Sequence, residues 1–264
     1  FMDQYHQIRL DAPTIDWKID TDTIQIGIKR PSFANSIEKK VKFESFDFFD
    51  QNEFEKIQNI SNSNPLIIMR IISDKDQTRD LDAEYLAQKI NPRFAVENVK
   101  SLFYDLVAKG FIDFNEDENR VYLLDKLFHY TDATAKKVDY DVLGVLSQTN
   151  NTNAILNIAT KAYEITGVNS IEFSSKQKVA AKPYQGYTQM HKNRSLLFDG
   201  KLFAGFGIFD GTDFTFEYSK FTIKADSVRY FDLYVPTGAE DENGVMEAMS
   251  ISSRIEHAYG YLQI

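Results

Sequence analysis

The most regular pattern of apolar and polar positions in the chain lies in residues 81–128. Apolar side chains recur at helical spacing through residues 81–90 and again through residues 95–109. Pro92 separates the two stretches, because the residue before a proline is pushed out of the α region. Gly110 follows the second stretch as a glycine C-cap. The pattern predicts two helices joined by a short turn. The buried face of the second helix would consist of Val96, Val99, Leu102, Phe103, Leu106 and Val107.

A β-hairpin is predicted directly after the second helix. Residues 111–114 form its first strand, residues 115–119 (NEDEN) a polar turn, and residues 121–124 the returning strand. The patterned stretch therefore predicts the order helix, turn, helix and hairpin.

The pattern also extends toward the N-terminus. Asp80 or Asp82 can cap the first of the two helices, because a short side-chain oxygen accepts hydrogen bonds from the free N–H groups of the opening turn. A preceding helix is predicted at residues 53–60 or 66–72.

This order resembles a winged helix-turn-helix unit over about residues 66–128. The motifs that carry the resemblance are AEYLAQKI, VKSLFYDLVAKGFIDF and the wing NEDENRVYLL. In DNA-binding members of this class the second helix enters the major groove and the wing contacts backbone phosphate. The resemblance therefore implies a fold, with DNA binding as one function that the fold can support.

The charges of this stretch argue against DNA binding. The second helix offers Lys100 but also Glu97 and Asp105, and the wing tip (residues 116–118) is entirely acidic beside Arg120. Phosphate contact depends on clustered Lys and Arg, which release counterions from the nucleic acid. We therefore expect a packing or protein-contact module and no nucleic-acid binding.

The remainder of the chain predicts short β-strands. Residues 139–264 contain aromatic-rich runs of four to eight residues, and a last pair of strands is predicted at residues 249–255 and 258–264. The turns between the runs are predicted at Gly167, Gly200, Gly211 and Gly238. Residues 11–29 alternate in the same way around an Asp20–Asp22 turn, so that a hairpin is predicted near the N-terminus. The fold class predicted is α+β: a mainly antiparallel β-domain, solenoid-like or sandwich-like, with an inserted helical winged-helix-like unit. The predicted domains are residues 1–49 with 138–264, and residues 50–137.

Three strand–turn–strand segments are similar to each other. Their turns contain Asp22, Asn169 and Asp226, each followed by Thr or Ser. Asp and Asn bond their own backbone two residues on, which makes compact corners. The similarity predicts equivalent corners of stacked rungs, with ordinary turns of an all-β chain as the alternative.

The aromatic run from Arg194 to Val235 (RSLLFDGKLFAGFGIFDGTDFTFEYSKFTIKADSVRYFDLYV) resembles the β-repeats of large uncharacterised envelope proteins of AT-rich Gram-negative bacteria. It is also faintly similar to the β-jellyroll of lipopolysaccharide-transport bridging proteins. The second resemblance implies a hydrophobic groove for lipid, although an ordinary core explains the same aromatic residues. The Gly205-Phe206-Gly207 segment sits inside a strand pattern and indicates strand packing or a bulge.

Composition narrows the function further. The chain has 264 residues, a net charge of -9 and a sequence pI near 5.0, which disfavours a general nucleic-acid binder. It has no cysteine, so disulfides, thiolate metal sites and Cys nucleophiles are excluded. No apolar run reaches the length of a membrane span, and no transmembrane segment is expected.

The polar residues show no catalytic, cofactor-binding or metal-ligating motif. The four histidines lack metal-ligand spacing, so we expect scattered surface or capping histidines. His191, Lys192 and Arg194 form one basic cluster, with Lys201 nearby in sequence. The cluster predicts contact with an anion such as a phosphate or a sugar acid, or else a loop held by neighbouring carboxylates.

The function expected is a non-enzymatic structural or interaction segment of a larger bacterial cell-envelope protein, in the periplasm or envelope. Its partner would be protein, either another part of the same chain or an envelope partner. The alternative is a cytoplasmic regulator whose winged unit binds DNA and whose β-domain senses a ligand.

Overall fold

An antiparallel β-sheet dominates the computed structural model of the chain. Within the described residues, eighteen strands and five α-helices form an α+β fold, which confirms the predicted class and its mainly antiparallel sheet. Two predicted segments lie partly outside the described residues, namely residues 28–29 of the N-terminal hairpin and residues 58–60 of an early helix. The structure describes residues 1–27, 39–46, 48–57, 64–138, 140–240, 246–251 and 254–264.

The chain divides into two compact units. The first contains Phe1–Phe48 together with Asp139–Ile264, and the second contains Phe49–Val138. The boundaries predicted from sequence fall after residues 49 and 137.

The first unit contains fifteen of the described strands in one sheet. Strands are numbered along the whole chain, so that β6 to β8 belong to the second unit. The strands of the first unit are β1 (Met2–Asp3), β2 (Ile8–Asp11), β3 (Ile15–Trp17), β4 (Thr23–Ile26), β5 (Lys39–Ser45), β9 (Gly144–Thr149), β10 (Ala154–Asn157), β11 (Ala162–Ile165), β12 (Val168–Ser174), β13 (Val179–Met190), β14 (Leu196–Ala204), β15 (Gly207–Glu217), β16 (Thr222–Glu240), β17 (Met246–Ser250) and β18 (Ile255–Gln263).

This sheet branches at the long strand β13. One edge of β13 pairs with both β12 and β11, which begin the paths β12-β9-β5-β2-β1 and β11-β10-β4-β3. The other edge pairs with β14, followed by β15 and β16. Both β17 and β18 pair with β16, one after the other along its length. The N-terminal strands therefore share a sheet with the C-terminal strands, as the insertion hypothesis requires.

Aromatic side chains fill the core of the first unit. Phe216 lies 4.7 Å from Phe173 and 5.6 Å from Phe221, measured between ring centroids. Tyr218 packs edge-on against Phe221, and its hydroxyl donates to the Asp141 carbonyl at 2.9 Å. Phe216 lies in β15, Phe173 in β12, and Tyr218 and Phe221 between β15 and β16, so residues far apart along the chain form one aromatic cluster.

The second unit contains the five described helices and a small sheet. Strand β6 pairs with β8, and β8 pairs with β7. Of the predicted inward positions of the second helix, Val99, Leu102, Phe103 and Leu106 are buried in a core shared by all these elements and Val96 is partly buried, whereas Val107 is exposed. The elements are α1 (Gln51–Ile57), α2 (Pro65–Asp76), β6 (Asp80–Asp82), α3 (Ala83–Ile90), α4 (Val96–Ala108), β7 (Ile112–Asn115), β8 (Arg120–Leu123) and α5 (Asp125–Thr134).

Local chemistry explains where the helices of this unit begin and end. Asp82 is the N-cap of α3, and its carboxylate accepts the Tyr85 N–H at 2.7 Å. Gly110 adopts a φ of 75° after α4, and its N–H bonds the Val107 carbonyl at 2.9 Å. Only a residue without Cβ takes this left-handed conformation at little cost.

Several sequence predictions for the first unit are wrong. Asn169 lies within β12 and Asp226 within β16, so these residues do not form turn corners equivalent to Asp22. The ladder shifts register beside both of them, so irregular pairing stands where turns were predicted. Gly205 lies in the turn between β14 and β15, not inside a strand as predicted. The last two strands pair with β16 and not with each other.

Candidate functional site: an apolar strip beyond a line of bulges

A line of irregular pairing crosses the C-terminal strands. Register shifts occur between β13 and β14, β14 and β15, β15 and β16, and β16 and β18. The shifts align, because the paired residues form one continuous row across five strands. This row, called the bulge line below, consists of Pro183, Gly200, Gly211, Val228 and Ala258.

Close backbone contacts explain the glycines on the bulge line. A Cβ at Gly200 would lie 2.4 Å from the Lys182 carbonyl oxygen, and one at Gly211 would lie 2.2 Å from the Ser227 carbonyl oxygen. Bulges bend strands and increase their twist. The bulge line therefore divides β15, β16 and β18 into a proximal part next to the Tyr218–Phe221 turn and a distal part on the other side.

The inner face of the proximal part is covered by the core of the first unit. Phe214 and Phe216 of β15 are fully buried there, together with Ile223 of β16. Register places Phe214 opposite Ala225 and Phe216 opposite Ile223, so the two strands contribute to one apolar layer.

The inner face of the distal part is equally apolar but open to solvent. Pairing places Phe209, Phe231 and Ile255 side by side, and the rings of Phe209 and Phe231 stack at 4.3 Å. Val235 pairs with Met249 farther along the same face. Five non-aromatic side chains on this face are between 38% and 67% exposed, namely Leu233, Val235, Met249, Ile251 and Ile255. The surface formed by Phe209, Phe231, Leu233, Val235, Met249, Ile251 and Ile255 is called the apolar strip below.

The outer face of the distal part is polar. Arg254 binds the Asp232 carboxylate through two nitrogens, at 2.8 and 2.7 Å, and its guanidinium lies 3.9 Å from the centre of the Tyr230 ring. The Tyr230 hydroxyl donates to the buried Asp210 carboxylate at 3.2 Å. Burial, with the neighbouring Asp210 carboxylate, raises the pKa of Tyr184 to about 12. The two faces of the distal part therefore have different chemistry.

The basic cluster predicted from sequence does not form one site. Arg194 is buried, donates to the Phe46 carbonyl at 2.8 Å, and stacks 3.6 Å from the centre of the Tyr218 ring. Lys192 is exposed and lies over the Tyr5 ring. Lys201 is exposed on β14, roughly 20 Å farther along the chain at the rise of an extended strand. His191 is half-buried, and its backbone N–H donates to the Ser195 carbonyl. Anion binding by the exposed lysines stays a prediction.

One histidine departs from the surface or capping role expected of it. His6 is 2% exposed, and its Nδ1 lies 2.7 Å from the Asp3 carboxylate. Its Nε2 lies 2.9 Å from the Lys161 carbonyl oxygen, and the Tyr163 hydroxyl donates to Asp3 at 2.8 Å. Burial alone would raise the pKa of Asp3, but the hydrogen bonds from His6 and Tyr163 outweigh it and lower the pKa to about 2.

The described residues contain neither a metal-ligating cluster nor a membrane-spanning helix. Across the described ranges, no group of three or more His, Cys, Asp or Glu residues could hold a metal ion. No helix in the same ranges has the length and apolar character needed to cross a membrane.

Comparison with known proteins gives no match among protein-family models, curated proteins or solved structures. The apolar strip was not identified from the sequence. Its residues alternate like those of any half-buried strand, and nothing in the alternation indicates which strands have a covering layer.

Proposed function

We propose that the chain is a non-enzymatic interaction segment of a larger bacterial cell-envelope protein, and that the apolar strip is its contact surface for a protein partner. The observation that carries the proposal is the exposure of the strip. Leu233, Val235 and Met249 continue the same inner face that buries Phe216 on the proximal side, yet they lie open to solvent. Contiguous exposed apolar surface of this kind marks interaction sites in soluble proteins.

The occupant proposed is the apolar face of another protein. On the proximal side the same sheet face is covered by protein side chains of the same chemistry, aromatic and aliphatic. The stacked Phe209–Phe231 pair would lie near the middle of such a contact, where large desolvated side chains contribute most to binding. The polar outer face, with its Arg254–Asp232 ion pair, would stay in water.

The envelope context rests on the resemblance of residues 194–235 to envelope β-repeat proteins. In a protein built from such repeats, the strip would be covered by the next segment or by an envelope partner. The unit that occupies Phe49–Val138 would then be a winged-helix-like insertion between strands of one β-domain, either solenoid-like or sandwich-like.

The order of elements in the second unit supports the winged-helix proposal. Strand β6 lies between α2 and α3, and it pairs with β8, the second strand of the hairpin that follows α4. This is the arrangement expected of a helix-turn-helix with a wing. It also keeps a DNA-binding regulator as the second candidate function.

The acidic groups of α4 and the wing make the DNA-binding regulator the less favoured of the two candidate functions. Glu116 at the wing tip contacts both Lys100 and Tyr104 of α4, so the lysine best placed for phosphate already has a carboxylate partner. Glu97 and Asp105 are exposed on the same helix. A nucleic-acid backbone would therefore meet acidic groups on the surface that should attract it.

A photo-crosslinking experiment tests the strip directly. Leu233 on the inner face and Leu197 on the outer face are similarly exposed, at 38% and 37%. A photoreactive amino acid would replace each in turn, in cells that make the protein. We expect an adduct with a specific protein from position 233 and none from position 197.

Binding measurements with the purified partner test whether the crosslinked protein contacts the apolar strip. The identified protein would be purified and titrated with the unmodified chain, with Leu233→Asp and with Leu197→Asp. The proposal requires Leu233→Asp to weaken binding by at least about tenfold and Leu197→Asp to leave it unchanged. A lipid adduct, equal adducts from both positions, or an unaffected Leu233→Asp variant would refute it.

A DNA titration separates the two candidate functions. At physiological salt, fluorescence anisotropy with mixed-sequence duplex DNA should show no binding by this chain, because α4 and the wing are acidic. Sub-micromolar binding with a steep salt dependence would instead support the regulator.

A further inference from the structure

Strand β18 is the long open edge of the large sheet. Among the described residues it pairs with β16 alone, and it extends for nine residues, Ile255–Gln263. The other ends of the sheet are β1, with two residues, β3, with three, and β17, with five. Native proteins usually shorten edge strands or place Lys or Pro on them, because an open ladder pairs readily with another strand. Strand β18 contains neither Lys nor Pro.

The phase of the ladder shows which backbone groups face outward. The Ile264 N–H donates to the Phe221 carbonyl at 3.1 Å, so residue 264 points its backbone toward the β16 side. Antiparallel ladders alternate between inward and outward backbone groups. Tyr259 and Tyr261 therefore direct their N–H and C=O groups toward the open edge.

The side chains of the same two residues are among the most exposed large hydrophobic ones in the described part of the chain. Tyr259 is 85% and Tyr261 is 75% exposed. Tyr261 is in register with Lys224 on the outer face, and Tyr259 follows it by strand alternation. The outward backbone groups and the exposed rings thus coincide on one short segment, with Gly260 between them.

We propose that β18 pairs with β18 of a second copy of this chain, antiparallel, about a two-fold axis at Gly260. The segment is symmetric about that glycine. Tyr259 then lies opposite Tyr261 of the partner subunit, and Ala258 lies opposite Leu262 of the partner subunit. Aromatic cross-strand pairs stabilise sheets, and each tyrosine makes one here. Because the backbone groups of Tyr259 and Tyr261 point toward the open edge, each Tyr259–Tyr261 pair across the axis is a hydrogen-bonded pair of the antiparallel ladder.

The lengths of the edges favour this occupant over other arrangements of the same chain. Pairing of β18 with β1, β3 or β17 of another copy would leave at least four of its nine residues unpaired. Pairing of β18 with itself uses the whole regular segment and closes the assembly at two subunits, because a two-fold contact leaves no repeat of itself exposed. The proposal does not depend on the apolar strip, which lies on the other face beyond the bulge line.

A single cysteine tests the axis. The natural chain has no cysteine, and a Cβ at Gly260 would meet no atom within 4 Å. On the proposed axis the two Cα atoms at position 260 would be about 4.5 Å apart, within the range that a disulfide spans. We expect Gly260→Cys to form a disulfide-linked dimer rapidly under mild oxidation. Tyr122→Cys, exposed on a central strand of the small sheet, is the control and should not. Equal rates for the two variants would overturn the proposal.

A measurement of molecular mass tests the proposed dimer independently of the cysteine variant. By light scattering at about 100 µM chain, the unmodified protein should have twice the 30.4 kDa mass of one chain. The double variant Tyr259→Glu, Tyr261→Glu places carboxylates directly opposite each other across the axis and should be monomeric, with an unchanged circular dichroism spectrum. A monomeric unmodified protein, or a double variant that remains dimeric, would show that β18 is not a self-pairing edge.

Discussion

The proximal and distal parts of β15 and β16 are continuous pieces of the same strands, yet their inner faces have different surroundings. Phe214 and Phe216 lie beneath a layer of aromatic side chains from the first unit. Phe231 and Leu233, on the same face and beyond the bulge line, have solvent beside them. Apolar alternation therefore shows which face of a strand is inner, whereas tertiary structure decides whether that face is filled by the chain itself.

At the bulge line, Gly200 and Gly211 allow neighbouring backbones to approach closely. Bulges bend strands and increase their twist, so we interpret this line as the limit of the core that covers the proximal part. We interpret the distal part as a region whose stability is completed by a partner, and the predictions below test that contrast.

The largest expected effect is the loss of an aromatic side chain on the proximal side. Phe216→Ala should lower the free energy of unfolding by about 3–5 kcal/mol, because it empties a fully buried site among Phe173 and Phe221. Leu233→Ala in the apolar strip should change it by less than about 1 kcal/mol. Chemical denaturation measures both variants, and similar losses would show that the strip belongs to the core.

The next effect concerns the bulge line itself. Gly211→Ala should destabilise the protein by about 1–3 kcal/mol, because its Cβ would collide with the Ser227 carbonyl and with Val228. Gly144→Ala in β9 is the matched control, since the nearest atom to its Cβ, on Glu172, is 4.0 Å away. Thermal unfolding of both variants tests this, and a harmless Gly211→Ala would mean that the close approach is not required.

Lowering the pH should reduce the stability of the protein through the buried network of Asp3, His6 and Tyr163, and not through the Asp232–Arg254 ion pair of the distal part. The pKa of Asp3 is lowered from 3.8 to about 2, so the stability it contributes is complete above pH 4 and is lost as the pH falls toward 2. The loss should be about 1–2 kcal/mol after allowance for solvent screening, and Asp3→Asn should remove it.

The matched control for acid is Asp232. Its pKa is lowered by Arg254, but the ion pair lies at the surface, where such pairs add little to folding. Denaturation at pH 5 and pH 2 should therefore give the same acid loss for Asp232→Asn as for the unmodified protein. A loss of acid sensitivity in Asp232→Asn but not in Asp3→Asn would reverse the assignment.

Much of the second unit was predictable from the sequence, because local chemistry determines its boundaries. The cap at Asp82, the left-handed Gly110 and the apolar face of α4 follow from side-chain properties within a few residues. Helix α5 was not separately predicted. Its N-cap is Leu124, which makes no side-chain capping bond, so the usual start of a helix was absent from the sequence.

The large sheet was predictable as antiparallel but not in its details. Strand β13 contains Pro183 and Gly186, which are typical of turns. Gly186 does adopt a positive φ of 61°, and the pairing with β14 shifts register between Pro183 and Thr188, but pairing with three other strands continues on the two sides of this irregularity. The sequence predicts turns at Gly200 and Gly211, whereas close approach between neighbouring strands explains both glycines. It predicts that Arg194 contacts an anion or neighbouring carboxylates, although contacts with residues far away in sequence bury its side chain. These features depend on long-range pairing, which sequence spacing does not reveal.

Hydrogen exchange of individual amides tests the division of the sheet most directly. Phe216 and Leu233 belong to strands in one continuous ladder, so strand pairing alone would protect their surroundings equally. We predict that amides around Phe214–Phe216 and Ile223–Ala225 exchange only through global unfolding. Amides around Phe231–Leu233 should exchange through local opening, at a free energy lower by about 2 kcal/mol or more. Equal protection on the two sides of the bulge line would contradict the account.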